Sequence, residues 1–184
     1  VESAFTDDGL PNNNLCVMTG MWSGEITENI SADIQLKRSL AKIKFTYSVD
    51  GENFSFIVSS LELCNVPVQM KYIGDENPTQ LTGEDNFKTY TATSPGNSGT
   101  QYWYLPENPA GTGDNTGDKA VNKTGEGVTL ATCIRLTGEA VQDGVRYENV
   151  VFTLYPGNGN NDYTIVRNGL YTINVTLTGI DFSD

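Results

Sequence analysis

The sequence predicts an all-β protein with antiparallel strand pairing, and three observations predict it. Apolar and polar residues alternate strictly in two long runs. Ile43, Phe45, Tyr47 and Val49 alternate with Lys44, Thr46 and Ser48; Tyr171, Ile173, Val175 and Leu177 alternate with Thr172, Asn174, Thr176 and Thr178. A period of two sends one set into a core and the other into water, as in a half-buried strand. Clusters of Gly, Asn, Asp and Pro punctuate the runs, at Asp50-Gly51, Asp143-Gly144 and Pro156 to Asp162. Such residues accept positive φ or interrupt a ladder. No stretch places its apolar residues at helical spacing, and only Lys37 to Ala41 could form a single turn. Short connections between neighbouring runs favour antiparallel pairing.

In chain order, residues 1–14 are polar and turn-rich and read as a loose leading segment. Residues 15–22 read as a short strand ending at Trp22, and residues 31–36 as another. The strand over 41–49 meets Asp50-Gly51, a hairpin signal, and Phe54, Phe56 and Val58 continue on the returning strand. The apolar phase then moves to Leu61 and Leu63, which predicts a β-bulge near Ser59-Ser60. Val66 to Ile73 reads as a further strand with Pro67 at its start, where a ladder tolerates proline. Residues 74–86 are acidic and nearly devoid of apolar side chains, the best candidate for a domain boundary. The expected division is an N-terminal β domain over 1–78 and a C-terminal β-sandwich over 79–184. Strands resume at 87–93 and 100–105, and 106–127 form the longest loop. Residues 128–137 alternate through Val128, Leu130, Ile134 and Leu136; Asp143-Gly144 then turns the chain into a strand over 146–155. The last strand runs from Leu170 to Gly179.

A chain of 184 residues is one medium domain or two small ones, and it can bury roughly 70% of its unfolded surface without a metal or disulfide staple. Its net charge of −12 argues against nucleic acid or anionic lipid as a partner, since both would repel it. No apolar run approaches the ~18 residues of a spanning helix. Without an initiator Met or a signal peptide, the chain reads as a mature or trimmed form. Cys16, Cys64 and Cys133 permit at most one internal disulfide, with three pairings open. Cys64 and Cys133 fall on opposite sides of the expected boundary, so three reduced thiols are expected.

Little in the chain suggests reaction chemistry. Histidine is absent, which removes Ser–His–Asp and Cys–His nucleophiles and the usual zinc ligand sets. Asp7/Asp8 and Glu84/Asp85 sit in polar loops and read as solvated charges, not as a glycosidase pair. Asp114 to Asp118 cluster oxygen ligands, but the spacing does not match an EF-hand and no bidentate Glu follows at the right distance. No catalytic residue, cofactor or metal is expected, and the chain reads as a non-enzyme. Tyr102-Trp103-Tyr104 admits two readings. In a strand Trp103 points opposite to its neighbours, which suits core packing; the three rings could instead form a sugar-stacking surface.

Four blocks carry a resemblance. Leu15 to Gly20 (LCVMTG) is similar to an L-P-M-S/T-G element, with Val17 in place of the usual Pro. Leu36 to Ile43 (LKRSLAKI) is similar to L-x-R-x-x-A-K-[IV], and Tyr104 to Gly111 (YLPENPAG) to Y-[VL]-P-E-N-x-x-G. Asn161-Asp162-Tyr163, Arg167-Asn168 and Tyr171-Thr172 complete the order. Together they resemble the fimbrillin-like proteins of Bacteroidales, the type V pilins and their minor subunits. The resemblance implies two transthyretin-like Greek-key sandwiches, the first lacking its initial strands. It implies structural roles for Arg38, Ala41, Lys42, Pro106, Glu107, Asn108, Asp162, Arg167, Asn168 and Tyr171, with Arg167 bracing strands through a carboxylate.

It further implies a structural or adhesive subunit of surface fimbriae, at the outer membrane and exported. Its partners would be other fimbrial subunits joined by β-strand addition, and a host or bacterial surface receptor. Membrane contact would come only through a lipid anchor on the precursor. Only Ile180 to Asp184 follow the last strand, too few for a long donor extension, which favours an accessory, tip or anchor subunit over a stalk pilin. The alternative is a free-standing cell-surface glycan-binding module that uses Tyr102, Trp103 and Tyr104.

Overall fold

The computed structural model describes residues 16–26, 29–73, 77–92, 95–114 and 123–181. The described residues form strands β1 (Met18–Thr19), β2 (Lys37–Arg38), β3 (Ala41–Val49), β4 (Phe54–Pro67), β5 (Phe87–Thr91), β6 (Gly99–Leu105), β7 (Cys133–Gln142), β8 (Val145–Leu154) and β9 (Leu170–Leu177). No α-helix occurs among them, and one 3-10 turn at Glu84–Asn86 leads into β5. The chain is all-β, as the alternation predicts.

Two sheets face each other. One has the order β6-β3-β9 and the other β5-β4-β7-β8. The inward sets of each strand meet in a single core. Ile43, Phe45 and Tyr47 of β3 and Trp103 and Leu105 of β6 pack with Phe56, Leu61 and Leu63 of β4 and Ile134 and Leu136 of β7. Phe45 stacks on both Tyr47 and Trp103, with ring centroids 5.5 and 6.2 Å apart. Each such side chain, fully withdrawn from water, contributes about 1.5–3 kcal/mol. The bulge expected near Ser59-Ser60 is present: the β4–β7 register shifts between Val58 and Ser60. Beyond it Leu61 and Leu63 return to the core side. Asp143-Gly144 makes the predicted tight turn between β7 and β8, with φ of 52° and 80°, the left-handed pair that a two-residue hairpin requires.

Several expectations are corrected. Strands from both sides of residue 78 share both sheets and the one core: β3 pairs with β6 and β9, and β4 with β5 and β7. A boundary between 78 and 79 therefore passes through one sandwich; the acidic stretch is a surface connection within it. Of that stretch, residues 74–76 lie outside the described residues. Pairing is not wholly antiparallel, since β3 and β9 run parallel, Lys42 opposite Leu170 through Val49 opposite Leu177. Asp50-Gly51 is not a hairpin turn but a corner that carries the chain from one sheet to the other. There a Cβ on Gly51 would run into the carbonyl of Thr178, so the closeness of the backbones selects glycine.

Smaller shifts follow the same logic. β4 runs on to Pro67, and 68–73 join no strand. β7 begins only at Cys133, because Leu130 adopts φ 52° and breaks the extended run. The stretch 15–22 contributes only Met18–Thr19, paired with Lys37–Arg38, and 31–36 join no ladder among the described residues. This arm keeps Met21, Ile26, Ile34 and Leu36 exposed. The leading segment 1–14, with Asp7 and Asp8, lies outside the described residues, as do Asn115 to Asp118.

Candidate functional site

The two flanks of the sandwich differ. On one, residues 95–98, just before β6, bridge the two sheets: Tyr47 Oη donates to the carbonyl of Gly96 at 2.6 Å, and Asn97 Oδ1 accepts from the Val58 amide at 3.2 Å. Tyr90 and Trp103 lie beneath, 2% and 0% exposed. On the other flank β8 and β9 are the outermost strands of their sheets, and no described strand lies between them. A cleft of about 810 Å³ opens there, walled by Leu154, Tyr155, Leu170, Tyr171, Ile173 and Val175. The inward faces of these strands point to the core but stay half-exposed: Phe152 and Leu154 on β8, and Tyr171, Ile173 and Val175 on β9.

One end of the cleft is polar. Lys123 is buried, donates from Nζ to the carbonyl of Asp162 at 2.6 Å and sits 5.0 Å from the centre of the Tyr163 ring. Burial pushes its ammonium below the usual lysine range, with the Asp162 carboxylate opposing. Tyr171 Oη accepts from the Val166 amide at 2.9 Å and reaches the carbonyl of Thr164 at 3.3 Å. Burial pushes its phenol up. Asp162 Oδ1 accepts from the Thr164 amide at 2.9 Å, a local Asx turn that orients the segment leading into β9.

The motif residues converge at the end of the sandwich where β3 and β9 begin. Arg167 forms a two-pronged pair with Glu107, Nε to Oε2 at 3.1 Å and Nη2 to Oε1. Its remaining donors reach the carbonyls of Tyr72 at 3.2 Å and Lys71 at 3.0 Å. The two side chains are only 13% and 16% exposed, so the guanidinium ties three separate segments in a partly dry setting. Thr19 donates to the same Tyr72 carbonyl at 2.9 Å. Asn168 Oδ1 accepts from the Arg38 amide at 3.3 Å, and the Asn168 amide donates to the Leu40 carbonyl at 3.1 Å. Ser39 donates from its amide and its hydroxyl to the Val17 carbonyl, both at 2.9 Å. Residues of all four blocks thus meet in one network.

Asn108 is the network's buried hub. Its backbone exchanges two hydrogen bonds with Ile165, and its Nδ2 donates to the Leu130 carbonyl at 2.9 Å and to Thr132 Oγ1 at 3.0 Å. Its Oδ1 accepts from Gln80 at 3.2 Å. Pro106 is buried just before it, and Ala41 fills the core at the start of β3. Gln80, Thr132 and Lys123 escaped the sequence reading. Their partners are largely backbone carbonyls, which leave no residue-type signal.

Trp103 settles the aromatic triplet against a sugar-stacking surface that includes it. It is fully buried, on the core side of β6. Its indole N–H finds no hydrogen-bond partner among the described residues. Tyr102 and Tyr104 point outward, and Lys42 Nζ covers both rings, at 4.9 and 5.2 Å from their centres. That cation is held over one face of each ring. Among the described residues no three His, Cys, Asp or Glu side chains gather as a metal group.

Residues 103–175 match the model of a family described as a domain of unknown function, DUF4906. The matched span holds two of the four blocks, YLPENPAG and the Asn161 to Thr172 signature, and includes β9 as far as Val175. Among solved structures the chain is similar to the tip fimbrial protein Mfa3 from Porphyromonas gingivalis with C-terminal truncation, at 19% identity and a TM-score of 0.45. The likeness covers 80% of this chain and 49% of that one, so the chain spans about half the length of its relative. No curated protein matches.

Proposed function

We propose that this chain is a non-enzymatic structural or adhesive subunit of bacterial surface fimbriae, joined to other subunits by β-strand addition in the β8–β9 cleft. The observation that carries the reading is the asymmetry of the sandwich: one flank is bridged by its own chain, the other leaves an apolar inward face only partly buried between two outermost strands. An extended segment with alternating apolar side chains would pair with the edge of β8 or β9 and bury that face. The order of the four sequence blocks supports the same reading. An accessory, tip or anchor place in the fimbria is part of the proposal. Location at the cell surface and outer membrane, a receptor, and a lipid anchor on the precursor belong to the proposal.

The test is assembly. Purified chain mixed with candidate partner subunits is run on denaturing gels without boiling. The expected result is an SDS-resistant species with at least one partner, lost when Ile173→Asp and Val175→Asp place charge in the cleft. If no partner gives such a species, strand-addition assembly is wrong for this chain.

A further inference from the structure

Two thiols stand outside everything described so far. Cys64 and Cys133 are both buried, and they are direct partners in the antiparallel β4–β7 register. Antiparallel partners hold their Cα atoms ~4.5–5.5 Å apart and point their side chains to the same face. That spacing lies inside the ~4.4–6.8 Å window of a disulfide. The expectation of three reduced thiols rested on placing the two cysteines in separate domains, and the shared sheet removes that ground.

We propose that Cys64 and Cys133 form a covalent modification site, closing on oxidation by a low-molecular-weight disulfide into a cross-strand bond that ties β4 to β7. The proposal rests on strand register and is independent of the fimbrial reading. All three cysteines are thiols in this structure, and the chemistry from that state balances. The Cys64 thiolate attacks one sulfur of the external disulfide and releases one thiolate. That thiolate takes the proton of Cys133, whose sulfur then attacks Cys64 Sγ and releases the second. Two protein thiols and one disulfide become one protein disulfide and two small thiols. The hydrogen bond from Cys133 draws the Cys64 thiol down to about 7, ahead of the opposing effect of burial, which favours Cys64 as the attacking sulfur.

Access comes from position. Cys64–Cys133 is the last rung of its ladder, Cys133 opens β7, and Cys64 is followed by Asn65 at φ 55°, where β4 shifts register against β5. A ladder end frays without global unfolding. Cys16 sits far back in the chain on the β1 arm and takes no part.

The experiment treats the folded chain with oxidised glutathione, then unfolds it, alkylates free thiols and digests it for mass spectrometry. One alkylated cysteine, Cys16, and a linked pair of peptides carrying Cys64 and Cys133 are expected. Closing so long a loop should raise the Tm by on the order of 5–10 °C over the reduced form. Cys16→Ser should keep the link and the shift; Cys64→Ser should lose both. Three alkylated cysteines after oxidation, a stable glutathione adduct with no link, or a link involving Cys16 would overturn the proposal.

Discussion

The sealed flank and the open flank are built from the same kind of strand, yet one is dry and the other is not. On the sealed side the chain itself supplies the lid, with Gly96 and Asn97 taking hydrogen bonds from Tyr47 and Val58. On the open side Tyr171, Ile173 and Val175 alternate as regularly as Ile43, Phe45 and Tyr47, but they are only partly buried. The alternation therefore records what a strand is made to bury, not what this chain alone buries. A regular apolar face left partly wet is what the proposed strand addition would cover.

Five substitutions test this contrast. Trp103→Ala on the sealed side should cost about 3–5 kcal/mol, read from urea melts; a loss under about 1 kcal/mol would mean that flank is not the stable one. Arg167→Met should cost about 2–3 kcal/mol, because it strands the Glu107 carboxylate in a partly dry site. Adding Glu107→Leu should recover part of that loss, and a double variant worse than Arg167→Met would contradict the brace. On the open side Ile173→Ala should cost only about 1 kcal/mol in the isolated chain. An effect matching that of Trp103→Ala would show the cleft to be closed in solution. Tyr102→Ala, on the outer face, should change stability by less than about 0.5 kcal/mol.

Much of the fold is legible in the sequence because burial has a period. The inward sets of β3 and β9 and the bulge after Val58 follow from alternation and its change of phase. The partner of each strand does not. Asp50-Gly51 marks a reversal, but only the far chain end decides whether that reversal pairs two strands or crosses between sheets; here Thr178 crowds Gly51 and the chain crosses. The acidic run at 74–86 reports solvation, and solvation is the same for a loop inside one sandwich as for a linker between two. Of the site, a carboxylate partner for Arg167 is implied by the resemblance, while its identity as Glu107 needs the fold. A structural role for Asn108 is implied by the resemblance, but its partners are not legible, because Leu130 and Ile165 meet it through backbone atoms.

The parallel pairing of β3 with β9 has a mechanical consequence. The chain enters the sandwich at the start of β3 and leaves it at the end of β9, and these strands lie side by side in register from Lys42–Leu170 to Val49–Leu177. Tension on the chain before Ala41 and after Leu177 pulls the two strands in opposite directions along their length. Every rung between them then bears load at once, whereas a hairpin pulled from its open end parts one rung at a time. Single-molecule pulling through those two points should meet a high, single rupture, and pulling through Asp143 and Leu177 a lower one.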